Sequence, residues 1–286
     1  MTTERNCKWN TVAWNGVYFQ KPIDWEIATI GHTYLMLGTR FEPRMEISWK
    51  DIPTPVSQTR YRKKLFARLQ KQHLTTVKSW EPPRELSETV SAYDVNWFVS
   101  NASESRAYGC VLFCASCLRM SMIRMFLQPD DRYDMAQMSF ILASFRDHPI
   151  AERCWAVFDI LCMLPLSLNI HSYRFSTGFI CLHFKGNRHD ITISRWSPAL
   201  ALLTAGSLSD FAVSHHLCPQ NITENVVNPY RIEFETRPRS KFTLIRPPHC
   251  RLHLRHSPQT NRIIAVKAES RSAIDMQLFE RIVSQL

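Results

Sequence analysis

Glycine is scarce in this chain, with 7 residues out of 286. The glycine-rich motifs that cradle phosphate, G-x-x-x-x-G-K-[ST] and G-x-G-x-x-G, do not occur. The hydrolase motif G-x-S-x-G and the zinc-protease motif H-E-x-x-H are missing as well. These absences leave little support for the enzyme classes that the four motifs identify. The prediction leans against an enzyme, and no residue is predicted to be catalytic.

Long apolar runs are also missing. No stretch approaches the ~20 consecutive apolar residues of a transmembrane helix. The first ten residues, MTTERNCKWN, carry charges and lack the apolar region of a secretory signal. Nine cysteines, an odd number, then favour reduced thiols over a disulfide framework. The predicted location is the cytoplasm.

Acidic residues are outnumbered, with 25 Asp and Glu against 35 Lys and Arg, which gives a formal net charge of +10. Such a charge favours association with an acidic protein, nucleic acid or an anionic membrane surface. The chain is 45% hydrophobic and 21% charged, which is typical of a globular protein. Its length suits one large domain or two ordinary domains.

Two segments, Trp14–Trp49 and Trp155–Trp196, have the same order of strand-like runs. In each, an aromatic-flanked strand runs into a proline, Pro22 or Pro165. An alternating strand and an apolar strand follow, and the closing strand ends in tryptophan. We interpret this similarity as an internal duplication.

A helix is predicted after each segment. After the first, Tyr61, Leu65 and Leu69 lie four residues apart and form one apolar stripe. After the second, Ser197-Pro198 is a typical helix start. The remaining chain is strand-like, apart from a short helix predicted over 135–145 and an amphipathic helix predicted after the capping box at 272–275.

The predicted fold class is therefore α+β, with two repeated antiparallel-sheet-plus-helix units over 1–105 and 106–225. A basic, strand-rich extension with a C-terminal helix is predicted over 226–286. The segments FQKPIDWEI at 19–27 and MLPLSLNI at 163–170, with the strands that follow, resemble the Mog1/PsbP-like fold over about two thirds of the chain. That resemblance implies a non-catalytic binding or assembly module, and it assigns no functional residue.

Three cysteines form a C-x3-C-x2-C motif, the spacing with which radical-SAM enzymes hold an iron–sulfur cluster: Cys110, Cys114 and Cys117. The apolar residues between the first two predict a strand that places both thiols on one face. A strand does not wrap a cluster, and no βα repeat follows. An iron–sulfur site, another metal or redox site, and buried thiols all stay open.

Zinc is the second metal alternative. Cys114-x2-Cys117 would supply half of a site. The other half would come from the loop with His216 and Cys218 or from the segment HCRLH at 249–253. The loop is favoured because position 253 falls on the wet face of a strand. No cofactor is the primary prediction, and zinc or an iron–sulfur cluster is the alternative.

Two acid–base dipeptides also occur, Asp147-His148 and His189-Asp190. Adjacent residues in a strand point to opposite faces, and in turns such pairs usually cap the backbone. Neither dipeptide is predicted to be a site.

Basic residues cluster in the first predicted helix, opposite its apolar stripe. Between positions 60 and 71 the chain has no acidic residue, and its cations are Arg60, Arg62, Lys63, Lys64, Arg68 and Lys71. Arg251 and Arg255 mark a second basic surface on a C-terminal strand. A protein partner that binds these surfaces is the primary prediction. Nucleic acid is an alternative that no recognised motif supports.

Overall fold

The computed structural model describes residues 8–52, 59–60, 63–67, 71, 76–101, 106–126, 132–149, 151–204, 206–217, 223–236 and 249–286. The chain forms two compact units. Unit 1 contains Met1–Ile150 and Cys154–Ile160, and unit 2 contains Ala151–Arg153 and Leu161–Leu286. Among the helices in the described ranges, none combines the length and apolar content needed to cross a membrane.

Unit 1 is built on antiparallel strands. Its strands are β1 (Trp9–Trp14), β2 (Val17–Pro22), β3 (Glu26–Gly31), β4 (Tyr34–Gly38), β5 (Pro43–Asp51), β6 (Thr76–Ser79), β7 (Asp94–Asn101), β8 (Arg106–Cys114) and β9 (Arg119–Met125). Its helices are α1 (Arg84–Glu88) and α2 (Arg132–Ser144), and residues 63–67 are also helical. The next strands, β10 (Glu152–Val157) and β11 (Ile160–Pro165), have residues in both units.

Seven of these strands form one sheet in the order β3-β4-β5-β9-β8-β7-β6. Apolar side chains on neighbouring strands pack side by side in its interior. Ile47, for example, pairs with Leu35 on one side and Ile123 on the other, and all three are fully buried. The helical residues Leu65 and Phe66 pack on a cluster of buried side chains from this sheet. Leu65, the described member of the predicted apolar stripe, therefore faces the sheet, whereas Tyr61 and Leu69 lie outside the described residues.

The hairpin β1–β2 turns through Asn15 and Gly16, both at positive φ. Trp14, at the end of β1, is buried edge-to-face against Trp155 with ring centroids 5.4 Å apart. The Trp14 indole Nε1 donates a hydrogen bond to the Gly31 carbonyl at 2.7 Å. A tryptophan at this position is therefore both packed and hydrogen-bonded, as a buried indole requires.

Unit 2 is a second sheet with short helices. Its strands are β12 (Asn169–Ser176), β13 (Phe179–Lys185), β14 (His189–Trp196), β15 (Thr223–Asn228), β16 (Arg231–Thr236), β17 (His249–Ser257) and β18 (Arg262–Ser270). Its helices are α3 (Ala199–Leu202), α4 (Leu208–Ser214) and α5 (Met276–Gln285). The strand order is β12-β13-β14-β18-β17-β16-β15.

Helix α4 covers one face of the second sheet. Phe211 from this helix meets Trp196 edge-to-face at 5.2 Å within a buried apolar cluster. Ser207 caps the helix, because its hydroxyl accepts from the Asp210 amide while the Asp210 carboxylate accepts from the Ser207 amide. The helix is therefore fixed at its start by a local hydrogen-bond pair and along its length by apolar packing.

The predicted fold class, two small sheet-plus-helix repeats with a separate strand-rich extension, is wrong. Strand β18 pairs with β14 from His189↔Ser270 to Trp196↔Ile263, so the C-terminal strands complete a seven-stranded sheet. The error has a physical cause, since pairing between strands distant in the chain leaves no local pattern.

The two seven-stranded sheets have the same strand order. In each, the first three strands are adjacent in chain order, and the last four follow in reverse order. The compact units also divide the chain at other positions than the predicted segments 1–105, 106–225 and 226–286. The first predicted boundary falls between the paired strands β7 and β8.

Candidate functional site

Two of the predicted metal ligands lie at the β8–β9 turn, where Cys114 is the last residue of β8 and Cys117 lies in the turn itself. Leu118 adopts a positive φ of 56° at the end of this turn. Its carbonyl accepts a hydrogen bond from the Ile52 amide at 2.7 Å. The turn is therefore closed by backbone geometry and held from outside by the chain that follows β5.

The segment after α2 brings Asp147 and His148 to the same place. Arg146 forms two main-chain hydrogen bonds with Tyr18 on β2, each 2.8 Å long. The Asp147 carbonyl accepts from Arg119 Nη1 at 2.7 Å. Because Arg119 starts β9, this contact ties the segment to the β8–β9 turn.

Together these residues form a compact group, called here the Cys–Asp–His cluster: Cys114, Cys117, Asp147 and His148. One side-chain ligand atom from each lies within 4.8 Å of all the others. The Cys114 Sγ is 3.5 Å from His148 Nδ1, which is 2.8 Å from Asp147 Oδ1. The arrangement has the ligand types and spacing of a metal centre.

Burial differs within the cluster. Asp147 is 0% exposed, and its Oδ2 has no hydrogen-bond partner among the described residues. Cys114 is 4% exposed, whereas 41% of the His148 side chain faces solvent. The cluster is thus buried at its carboxylate and open at its imidazole.

Burial and the neighbouring charges in the cluster oppose the ionisation of the Cys117 thiol. Burial, and then the charge of Asp147, raise the pKa of Cys117 to about 12. Burial, with further contributions from Asp147 and Cys114, also raises the pKa of the neighbouring Tyr93 hydroxyl. The site therefore disfavours additional anions unless a cation is present.

The cluster is not arranged for nucleophilic catalysis. A thiol–imidazole–carboxylate relay uses one ring nitrogen for the nucleophile and the other for the carboxylate. Here both contacts fall on His148 Nδ1. The Cys114 thiol is also too buried to meet a substrate.

The sequence prediction paired the cysteines Cys114 and Cys117 with other residues than the structure does. Among the described residues, Asp147 and His148 are the groups that meet the two turn cysteines. Cys110 is not a member, and burial in the sheet raises the pKa of its thiol. His216 follows α4 in unit 2, and Cys218 lies outside the described residues.

Sequence reasoning missed Asp147 and His148 as partners of the cysteines. The dipeptide is visible in the sequence, but no spacing rule connects it to a C-x2-C pair about thirty residues earlier. The one available signal was the chemistry of the dipeptide itself, which offers a carboxylate and an imidazole beside a proline.

The described residues of the predicted basic helix have an apolar side and a basic side. Leu65 and Phe66 pack inward, and Phe66 meets Phe98 edge-to-face at 5.4 Å. Its described cations are all exposed, namely Arg60, Lys63, Lys64 and Lys71. Arg62 and Arg68 lie outside the described residues.

The second predicted basic surface, marked by Arg251 and Arg255, makes contacts within unit 2. Arg251 Nη2 donates to Glu233 Oε2 at 3.0 Å, and its guanidinium lies 5.7 Å from the centre of the Phe279 ring. Arg255 Nη2 donates to the main-chain oxygen of Leu286. Both guanidinium groups therefore have partners in their own unit.

Comparison with known proteins gives distant structural similarity. No family model and no curated protein matches the chain. The apo immunity protein TplEi of T6SS from Pseudomonas aeruginosa is similar at 10% identity and a TM-score of 0.32, covering 97% of this chain and 96% of that one. A chain of the Tle4–Tli4 complex is similar at 10% identity and a TM-score of 0.33, covering 94% and 88%.

At such TM-scores the similarity decides neither the fold nor the function. These comparisons also leave the resemblance to the Mog1/PsbP-like pattern untested, and it stays a prediction from the sequence.

Proposed function

We propose that this protein is a binding module whose partner is a protein with an acidic surface, held by the basic face of the segment 59–71. The observation that carries the proposal is the opposition of two faces on this segment. Leu65 and Phe66 are packed on the sheet, while Lys63 and Lys64 stand exposed beside them. The predicted cytoplasmic location belongs to the same proposal.

Packing gives the basic face a fixed support. The edge-to-face contact of Phe66 with the fully buried Phe98 anchors the segment on the first sheet. The neighbouring cations are therefore presented from an ordered base, which lowers the entropy lost when a partner binds.

The charges of Lys63 and Lys64 are available to a partner rather than used in ion pairs with described residues. In the described part of the chain, Lys63 and Lys64 make no ion pair, whereas Arg251 is paired with Glu233. Because these two lysines are exposed, they attract an acidic surface over a distance. No ion pair with a described residue has to be broken before they bind it. The 59–71 face is therefore the better candidate of the two predicted surfaces.

A protein is favoured over nucleic acid because single-stranded nucleic acids are usually held by aromatic side chains interleaved with cations. In the described part of the 59–71 segment, the aromatic side chain is Phe66, and it is packed against the sheet. The face offers charge without a described stacking platform.

The proposal is tested by affinity capture of partners from the native organism, with cross-linking and mass spectrometry to identify the bound surface. The variant Lys63→Glu/Lys64→Glu reverses the proposed face. Lys185→Glu/Arg188→Glu makes the same charge change at exposed positions of unit 2 and is the matched control. We expect the first variant to lose capture by about tenfold, equivalent to ~1.4 kcal/mol, and the control to keep it.

Two results would contradict the proposal. Equal capture by both variants would remove the 59–71 face from the interaction. Loss of the captured material after nuclease treatment would identify nucleic acid as the ligand.

A further inference from the structure

We propose that Cys114, Cys117, Asp147 and His148 form a zinc site with four protein ligands and a structural role. The site lies within unit 1 and does not depend on the binding role of the 59–71 face. Two of its ligands come from the β8–β9 turn, and two come from the segment after α2.

The distances already approach tetrahedral zinc coordination. Zinc–sulfur and zinc–nitrogen bonds of ~2.3 and ~2.0 Å at a tetrahedral angle place the two ligand atoms ~3.5 Å apart. Cys114 Sγ and His148 Nδ1 are 3.5 Å apart. The Asp147 Oδ1 to His148 Nδ1 distance of 2.8 Å is a hydrogen bond, and it would lengthen by about half an ångström when both atoms bind zinc.

An independent observation is the Asp147 carboxylate. The residue is fully buried, and its Oδ2 has no hydrogen-bond partner among the described residues. A buried polar atom without a partner costs free energy, and a buried carboxylate without a cation costs more. A zinc ion held by both thiols would supply the missing positive charge beside this oxygen.

Contacts outside the ligands hold the site together. Arg119 donates to the Asp147 main-chain carbonyl, and its Nε donates to Asp51 Oδ1 at 2.8 Å. The paired amides of Tyr18 and Arg146 fix the residue that precedes Asp147. Supports of this kind orient ligands before the metal arrives.

The donor set selects the metal and its role. Two thiolates and an imidazole favour zinc over magnesium or calcium, which prefer oxygen ligands. Four protein ligands fill a tetrahedral shell and leave no position for water or substrate, which is the pattern of structural zinc. Because 41% of the His148 side chain is exposed, the site lies close to the surface of unit 1. Zinc would then join the β8–β9 turn to the chain after α2.

The test uses the full-length protein purified under reducing conditions. Zinc content is measured by mass spectrometry, and affinity is measured by competition with a chromophoric chelator. Cobalt replacement adds a spectroscopic readout, since thiolate ligands give a charge-transfer band and tetrahedral coordination gives intense d–d bands. The ligand variants are Cys117→Ser and His148→Gln.

The matched controls make the same two types of substitution at positions outside the Cys–Asp–His cluster. Cys181→Ser removes a partly exposed thiol from β13, and His32→Gln removes an exposed imidazole from the β3–β4 turn. We expect one zinc per chain in the wild type and in both controls. Each ligand variant should bind zinc at least about tenfold more weakly and lose part of the cobalt spectrum.

Three outcomes would overturn the site. The first is wild-type protein that binds cobalt without a thiolate charge-transfer band. The second is a set of ligand variants that keep the zinc content and affinity of the controls. A Cys114–Cys117 disulfide that persists in reducing buffer and blocks zinc uptake would assign the pair to redox chemistry instead.

Discussion

The two units share a strand order but differ in the chemistry of corresponding turns. In unit 1 the turn between β8 and β9 carries Cys114 and Cys117, beside Asp147 and His148. In unit 2 the turn between β17 and β18 is the sequence PQTN at 258–261, which has no thiol. Both turns end in a residue at positive φ, Leu118 and Asn261. The same sheet can therefore keep its turn geometry while the side chains at the turn change, as is common for loops on a rigid scaffold.

Polar groups within the sheets differ as well. Unit 1 has a buried pair in which Arg124 Nη1 lies 3.2 Å from Glu46 Oε1, with side chains 6% and 11% exposed. In unit 2, Glu233 is shared by Arg231, Arg251 and His253. Unit 1 thus has a buried ion pair with Tyr34 beside it, whereas in unit 2 one carboxylate is shared by two guanidinium groups and an imidazole. This difference predicts different responses to mutation and to pH.

The largest effect is expected from Glu46→Gln. The change would leave the Arg124 charge buried without its partner, which typically costs ~3–5 kcal/mol. It would also alter Tyr34, whose pKa is raised to about 12 by burial and by the neighbouring Glu46. Urea denaturation measures the free energy of unfolding. Glu233→Gln is the control in unit 2, and a cost for Glu46→Gln no larger than for this control would break the distinction.

The second prediction compares the apolar interiors. Ile47 and Ile193 each lie on the third strand of their sheet, and both are fully buried. Replacing either with alanine should cost ~2–5 kcal/mol, because the sites lose apolar contact and leave a cavity. Unfolding in urea, followed for each single variant, measures the two values. A cost near zero for one variant would show that its unit lacks a tightly packed sheet core at that position.

The smallest effect is expected from acidification, and it should arise in unit 2. Burial and then the charge of Arg231 hold the pKa of His253 below its ordinary value of 6.5, although Glu233 acts in the opposite direction. The unfolded chain therefore takes up this proton first, so stability should fall as pH drops below about 6.5. His253→Gln should remove this part of the pH dependence, measured as urea midpoints over a pH series.

Glu233 should add a second stage at lower pH. Burial opposes its ionisation, but the Arg231 hydrogen bond and the charges of Arg251 and Arg231 prevail and lower its pKa below the ordinary 4.5. The stability it contributes is present above 4.5 and is lost as pH falls through the lower value of the folded state. A His253→Gln variant with an unchanged profile above pH 4.5 would contradict the assignment of the first stage.

Local patterns predicted many of the elements. The run RIEFET is strand β16, and the two predicted strands around the cysteine motif are β8 and β9. The C-terminal helix follows its predicted capping region, although Asp275 rather than Ser272 provides the cap, through its carboxylate and the Leu278 amide at 3.1 Å. These features were accessible because side-chain period and capping residues act over a few positions.

The sequence by itself determined where many of the strands lie and that positions 60–71 carry cations without an acidic residue, since both depend on residues close together in the chain. Only the tertiary structure decided that β15–β18 complete a sheet with β12–β14, and that Asp147 and His148 meet the C-x2-C turn. Such meetings depend on backbone pairing and packing between segments far apart in the chain, and residues that meet this way leave no periodic signal in the sequence.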